Sequence, residues 1–231
     1  MSVFLHRQIE ELKKQVLAIG TLCEENVRDS VSAVLDRDIR VAEAVIAADR
    51  EIDLAEVELE EECLHTLALN QPVAHDLRYV IAILKINNDL ERIGDHAKNI
   101  AQQALALADE PEIDHLPYDL RRMSTAVATM LQAALDSLVS LDVDKARSVR
   151  KLDDEVDEIN ANMYAATIDA MREHPDQMEQ LVHLMSVSKQ LERIADHAWN
   201  IAKDVLYMAE GEILRHARTR RRAGKLSSPT E

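Results

Sequence analysis

Four pairs of carboxylates stand four residues apart in this chain: Asp49/Asp53, Glu91/Asp95, Asp153/Asp157 and Glu192/Asp196. On an α-helix that spacing sets both side chains one turn apart on one face. Two like charges placed so cost an isolated helix roughly 0.2–0.5 kcal/mol. A hard cation would offset the repulsion, because carboxylate oxygens are its preferred ligands. Glu56 and Glu60 continue the flank on which Asp49 and Asp53 lie. One such pair would read as a solvated acidic face. Four pairs at duplicated positions point instead to metal binding, by Asp49, Asp53, Glu56, Glu60, Glu91, Asp95, Asp153, Asp157, Glu192 and Asp196.

At about 100° per residue, Glu91 and Asp95 lie well around the helix from the apolar seam Leu90/Ile93/Ala97 and are expected to face outward. Asp49 and Asp53 each follow a seam residue and are expected to point to one exposed flank. His96 and His197 fall about a quarter turn from the seam, which leaves a metal ligand and a packing role both open. Asn99 and Asn200, one turn past Asp95 and Asp196, suit an amide-oxygen ligand or ordinary surface polarity equally. Arg92 and Arg193 are expected to pair with nearby carboxylates. Trp199, the sole tryptophan, replaces Lys98 of the first copy. An exposed contact and partial burial between copies both suit it.

The elements that carry these residues come from a repeat. Leu90-Glu-Arg-Ile-Gly-Asp-His-Ala-Lys-Asn-Ile-Ala101 returns as Leu191-Glu-Arg-Ile-Ala-Asp-His-Ala-Trp-Asn-Ile-Ala202, with ten of twelve positions identical at an offset of 101. Asp49-Arg-Glu-Ile-Asp53 is echoed by Asp153-Asp-Glu-Val-Asp157 at an offset of 104. Two matches in the same order at nearly one offset mark a duplicated unit of small-domain size. Breaks at Asp36-Arg-Asp38 and Asn70-Gln-Pro72 divide the first copy, and Asp142-Val-Asp144 and His174-Pro175 divide the second. Helices are predicted near 4–36, 38–69, 73–109, 117–141, 143–173 and 176–211. Ile83, Ile86, Leu90, Ile93, Ala97, Ile100, Ala104 and Leu107 recur at alternating spacings of three and four, the seam of an antiparallel bundle. The expected fold is all-α: two tandem, pseudo-symmetric antiparallel three-helix bundles. The first occupies 1–110 and the second 111–212. A basic tail, 213–231, is expected to be disordered.

Composition agrees. Among 231 residues there are only 4 Gly and 5 Pro, as suits a few long helices, and 47% are apolar, enough for a core. A single Phe and a single Trp leave the core to aliphatic residues. Net charge is −16, and the stretch from Glu212 onward is basic, so the body is more acidic still. That argues against nucleic acid as the main partner. Cys23 and Cys63 form no CxxC or Cys/His cluster, which argues against a zinc finger or disulfide scaffold and for a reduced cytoplasmic protein. No signal peptide pattern opens the chain, and no 18 apolar residues run together.

With these motifs the sequence resembles the PhoU family. The resemblance spans Leu5 to about Glu212. It rests on the four E/D-x-x-x-D pairs and on the stretches Gln71-Pro-Val-Ala-His-Asp-Leu-Arg78, Leu90-Glu-Arg-Ile-Gly-Asp95 and Val205-Leu-Tyr-Met-Ala-Glu-Gly211. It implies two three-helix bundles that bind metal through the acidic motifs, as a multinuclear iron, manganese or zinc cluster. It also implies a homodimer in the cytoplasm, peripheral to the membrane. There the protein would couple the ATPase of a phosphate ABC transporter to a sensor histidine kinase, restrain phosphate uptake and repress the phosphate-starvation response. No catalysis is implied. The copies are not perfect duplicates: Glu56 and Glu60 correspond to Asn160 and Tyr164, and Gly94 to Ala195, so the second acidic site is poorer in oxygen ligands.

Two other functions compete. A ferritin-like di-iron enzyme needs E-x-x-H on two helices with its carboxylates inward. Glu62-Cys-Leu-His65 fits once, and Ala166 and Asp169 stand at its duplicated place. A metal-free helical scaffold acting only through contacts is the third reading. No Gly-rich phosphate loop and no G-x-S-x-G elbow is present.

Overall fold

The computed structural model describes residues 3–111, 113 and 119–211. The tail 213–231 and most of the segment joining the copies, 112 and 114–118, fall outside the described residues. Six long helices follow in order: α1 Val3–Asp36, α2 Ile39–Asn70, α3 Ala74–Ala108, α4 Leu120–Ser140, α5 Val143–Glu173 and α6 Met178–Glu210. A short 3-10 turn, Pro175–Gln177, leads into α6. The described residues contain no strand. The predicted 176–211 helix is therefore a proline-led turn plus α6, and the first residues of the predicted 117–141 helix lie outside the described residues.

Turn chemistry sets the joints, and the joints are duplicated. Arg37 and Leu141, 104 apart, both take left-handed backbone with φ of 51° and 50°. Each lets the following aspartate cap the next helix. Asp38 accepts from the amides of Arg40 and Val41, and Asp142 accepts from that of Lys145. The amides of Asp38 and Asp142 bond back to the carbonyls of Ala33 and Ser137, closing the preceding helices in the same way.

Helices α1, α2 and α3 pack on one another, as do α4, α5 and α6. The predicted seams are the core. Leu90, Ile93, Ala97 and Ile100 are fully buried, and so are Leu191, Ile194, Ala198 and Ile201. Burying each Leu or Ile stabilises the fold by roughly 1.5–3 kcal/mol. The bundles meet mainly through α3 against α6, with α1 against α4 beside them. His96 meets Gln190 and Gln103 meets His183, so α3 and α6 run antiparallel. Helix α3 is thus covered on three sides, by α1, α2 and α6.

Candidate functional site

The site is built where α2 crosses α3. Gly94 has no side chain, and a Cβ there would lie 3.1 Å from Ile52 Cδ1 and 3.6 Å from Asp49 Oδ1. The close approach turns the carboxylates of the two helices toward one another. Asp53 feels Asp49 and Asp95, Glu56 feels Glu60 and Asp53, and Glu91 feels Asp95, Glu56 and Asp53. Desolvation, followed by this mutual repulsion, pushes Asp53, Glu56 and Glu91 above the usual carboxylate range. The acidic residues of α2 and α3 therefore share one groove in the first repeat.

One expectation about side-chain direction is corrected. Asp49 and Asp153 are not on an exposed flank; they are 3% and 1% exposed. The buried arc of α2 and α5 is wider than the two-residue seam, because each helix contacts two others of its bundle. Asp95 faces away from the core as expected, its side chain 36% exposed. It looks into the α2–α3 groove, since the remaining sides of α3 are taken by α1 and α6.

A feature that residue spacing did not reveal is the cation in this groove. Lys98 Nζ lies 2.5 Å from Asp49 Oδ2 and 4.0 Å from Asp95 Oδ1. Arg92, as expected, pairs with Glu91 at 3.4 Å and reaches Asp95 at 3.8 Å. The signal for Lys98 was present in the repeat itself. Only two of twelve positions differ in the duplicated stretch, and Lys98/Trp199 is the one that changes charge.

The second repeat arranges the same place differently. Trp199 is half-buried, with Arg150 and Lys203 each 5.7 Å from its ring centroid. Lys203 lies within electrostatic reach of Asp153 and Asp196. Where Glu56 and Glu60 stand in the first repeat, Asn160 and Tyr164 line a cavity of about 270 Å³ with Met163, Ser188 and Glu192. Ser188 donates to Asn160 Oδ1 at 2.7 Å. Asp157, Glu192 and Asp196 lie on the corresponding helices, α5 and α6.

The fit to a metal ion is chemical but not positional. The donors are hard oxygens, which suit iron or manganese. As placed, however, no three of the described His, Cys, Asp and Glu side chains converge to hold one ion. An oxygen of Asp49 is already bonded to Lys98.

His96 and His197 lie on neither acidic groove. They meet at the boundary between repeats, ring centroids 5.5 Å apart. His96 Nδ1 is 2.7 Å from Gln190 Oε1, and His197 Nδ1 is 2.6 Å from Asp89 Oδ1. Asn200 also donates to Asp89, at 3.0 Å. The Glu62/His65 unit points to solvent, its side chains 39% and 72% exposed, not inward as a di-iron centre requires.

The family model described as PhoU domain matches residues 16–104 and again 120–205. The chain is 37% identical over 209 residues to the phosphate-specific transport system accessory protein PhoU homolog of Pseudomonas aeruginosa, covering 90% of this chain and 86% of that one. It is 37% identical over 213 residues to the Aquifex aeolicus protein of the same description, covering 92% and 96%. Among solved structures it is similar to PhoU from Pseudomonas aeruginosa, with TM-score 0.87, 36% identity, and coverage of 90% of this chain and 99% of that one. It is likewise similar to the phosphate transport system regulatory protein PhoU from Streptococcus pneumoniae, with TM-score 0.81, 28% identity, and coverage of 91% and 99%.

Proposed function

On the premise that the chain belongs to the PhoU family, we propose that it is an accessory regulator of phosphate-specific transport. It couples the transporter's ATPase to a sensor histidine kinase and lowers both uptake and the starvation response when phosphate is plentiful. The observation that carries this reading is the double match: the PhoU domain model covers both three-helix units, and relatives of that description align over nine-tenths of the chain.

The surface supports an adaptor. Leu54, Val57 and Leu64 on α2 are each more than half exposed among Glu51, Glu58, Glu60 and Glu61. Apolar side chains ringed by carboxylates suit contact with another protein. No helix among the described residues is long and apolar enough to cross a membrane. On this reading the protein works in the cytoplasm, beside the membrane, as a homodimer. It responds to the state of the transporter and not to phosphate itself. Metal binding belongs to the same proposal in a narrower form. Asp53, Glu56, Glu91 and Asp95 are the side chains that an iron or manganese ion would draw together, and the second repeat is the poorer site.

The test is deletion of the gene in its own host, with a phosphate-starvation reporter read at high phosphate. Derepression that is reversed by the intact gene supports the reading. An unchanged reporter overturns it. Calorimetry with inorganic phosphate is expected to give no tight binding, and a low-micromolar Kd would make the protein a direct phosphate sensor.

A further inference from the structure

We infer that Lys98 is the resident cation of the first acidic groove, and that its ammonium holds the place a metal ion would need to reach Asp49, Asp53 and Asp95. The inference rests on the metal reading above only in naming the face; what it adds is the control of that face by a residue of the chain.

The argument is geometric. Asp49 is buried, and Gly94 lets α2 close over it from the α3 side. Its Oδ2 bonds to Lys98 Nζ, while its Oδ1 is the oxygen nearest the open Cβ position of Gly94. Lys98 is one-third exposed and Asp49 is 4% exposed at the side chain, so the ammonium lies on the solvent side of the carboxylate. The same Nζ is 4.0 Å from Asp95 and within electrostatic reach of Asp53. One cation thus serves both D/E-x-x-x-D pairs of the first repeat at the point where they cross. A divalent ion entering there must displace Lys98 and meets its charge if it does not.

The second repeat has no lysine at this position: Trp199 stands there, with Arg150 and Lys203 each 5.7 Å from its ring centroid. Burial pushes the Lys203 ammonium below its ordinary value, against the opposing charges of Asp89, Asp204, Asp153 and Asp196.

The experiment measures manganese(II) binding by loss of the free-ion electron paramagnetic resonance signal. It compares the full chain with Lys98→Gln and with Lys98→Trp, the residue the second repeat already accommodates there. Circular dichroism checks that each is folded. Removing a full positive charge about 4 Å from the carboxylates is expected to raise affinity at least about tenfold. Asp53→Asn with Asp95→Asn in the Lys98→Gln background is expected to abolish the gain. Equal, measurable affinity in all three proteins would overturn the role of Lys98 and leave the metal reading standing. Weaker binding after removal of Lys98 would overturn it too, by making the lysine a support of the site. No binding by any of the three would overturn the inference and the metal reading together.

Discussion

His197 Nδ1 lies 2.6 Å from Asp89 Oδ1 across the boundary between the two repeats, and the pair has a near-copy related by the duplication, His96 with Gln190. Asp89 and Gln190 are 101 residues apart, as are the two histidines. One copy ends in a carboxylate and the other in an amide. Asp89 also takes a hydrogen bond from Asn200, so its loss leaves two donors without an acceptor. Asp89→Ala is expected to destabilise the protein by about 1–3 kcal/mol, and Gln190→Ala by less, since a bond to a charged acceptor is the stronger. Urea unfolding of the two variants measures the difference; an equal or inverted order would show that the boundary is held by its apolar contacts alone.

Asp204 on α6 meets Lys85 on α3 at 3.0 Å, in the same boundary. Burial pushes Asp204 above its ordinary 3.8, with Asp89 adding to the rise and Lys85 opposing it. The folded state therefore holds the Asp204 proton more tightly than the unfolded chain does. Stability from this group is fully present below 3.8 and is lost as pH rises through the raised value. Relative to Asp204→Asn, the native protein is expected to lose melting temperature between pH 4 and neutrality. A relative gain over that range would mean that Lys85 outweighs burial.

Asp38 and Asp142 cap α2 and α5 from equivalent joints. Asp38→Ala and Asp142→Ala are each expected to cost about 1 kcal/mol, and the double variant about the sum, because the sites belong to different bundles. Thermal unfolding measures it. A cost near zero at one joint would show that its left-handed residue closes the turn unaided.

Cys23 and Cys63 are buried and unpaired. Burial, then nearby carboxylates, pushes the Cys63 thiol up to about 12 and Cys23 higher still. Both are expected to resist a thiol-specific disulfide reagent in the native state and to react fully in denaturant. Fast native labelling of Cys63 would show that α2 opens locally.

Much of this protein is determined by short-range chemistry, and that part was legible in the sequence. The seam from Ile83 to Leu107 follows the helical period, and the helix is observed at Ala74–Ala108. The joint at Asp142-Val-Asp144 was visible as a break, and α5 runs Val143–Glu173 as predicted. The duplication was visible in two matched stretches, 90–101 with 191–202 and 49–53 with 153–157. Each of these depends on neighbours within a few turns, so one-dimensional spacing suffices. What the carboxylates face does not. Asp49 is buried because α2 packs there against α3, at Gly94, 45 residues later in the chain. Asp95 looks into a groove because α1 and α6 occupy the other sides of its helix. Lys98 meets Asp49, and His197 meets Asp89, across distances along the chain of 49 and 108 residues. Periodicity tells how far a side chain lies from its own seam. Only the packed neighbours decide whether the space there is water, a carboxylate or a lysine, because burial and charge are properties of the groove between helices and not of either helix alone.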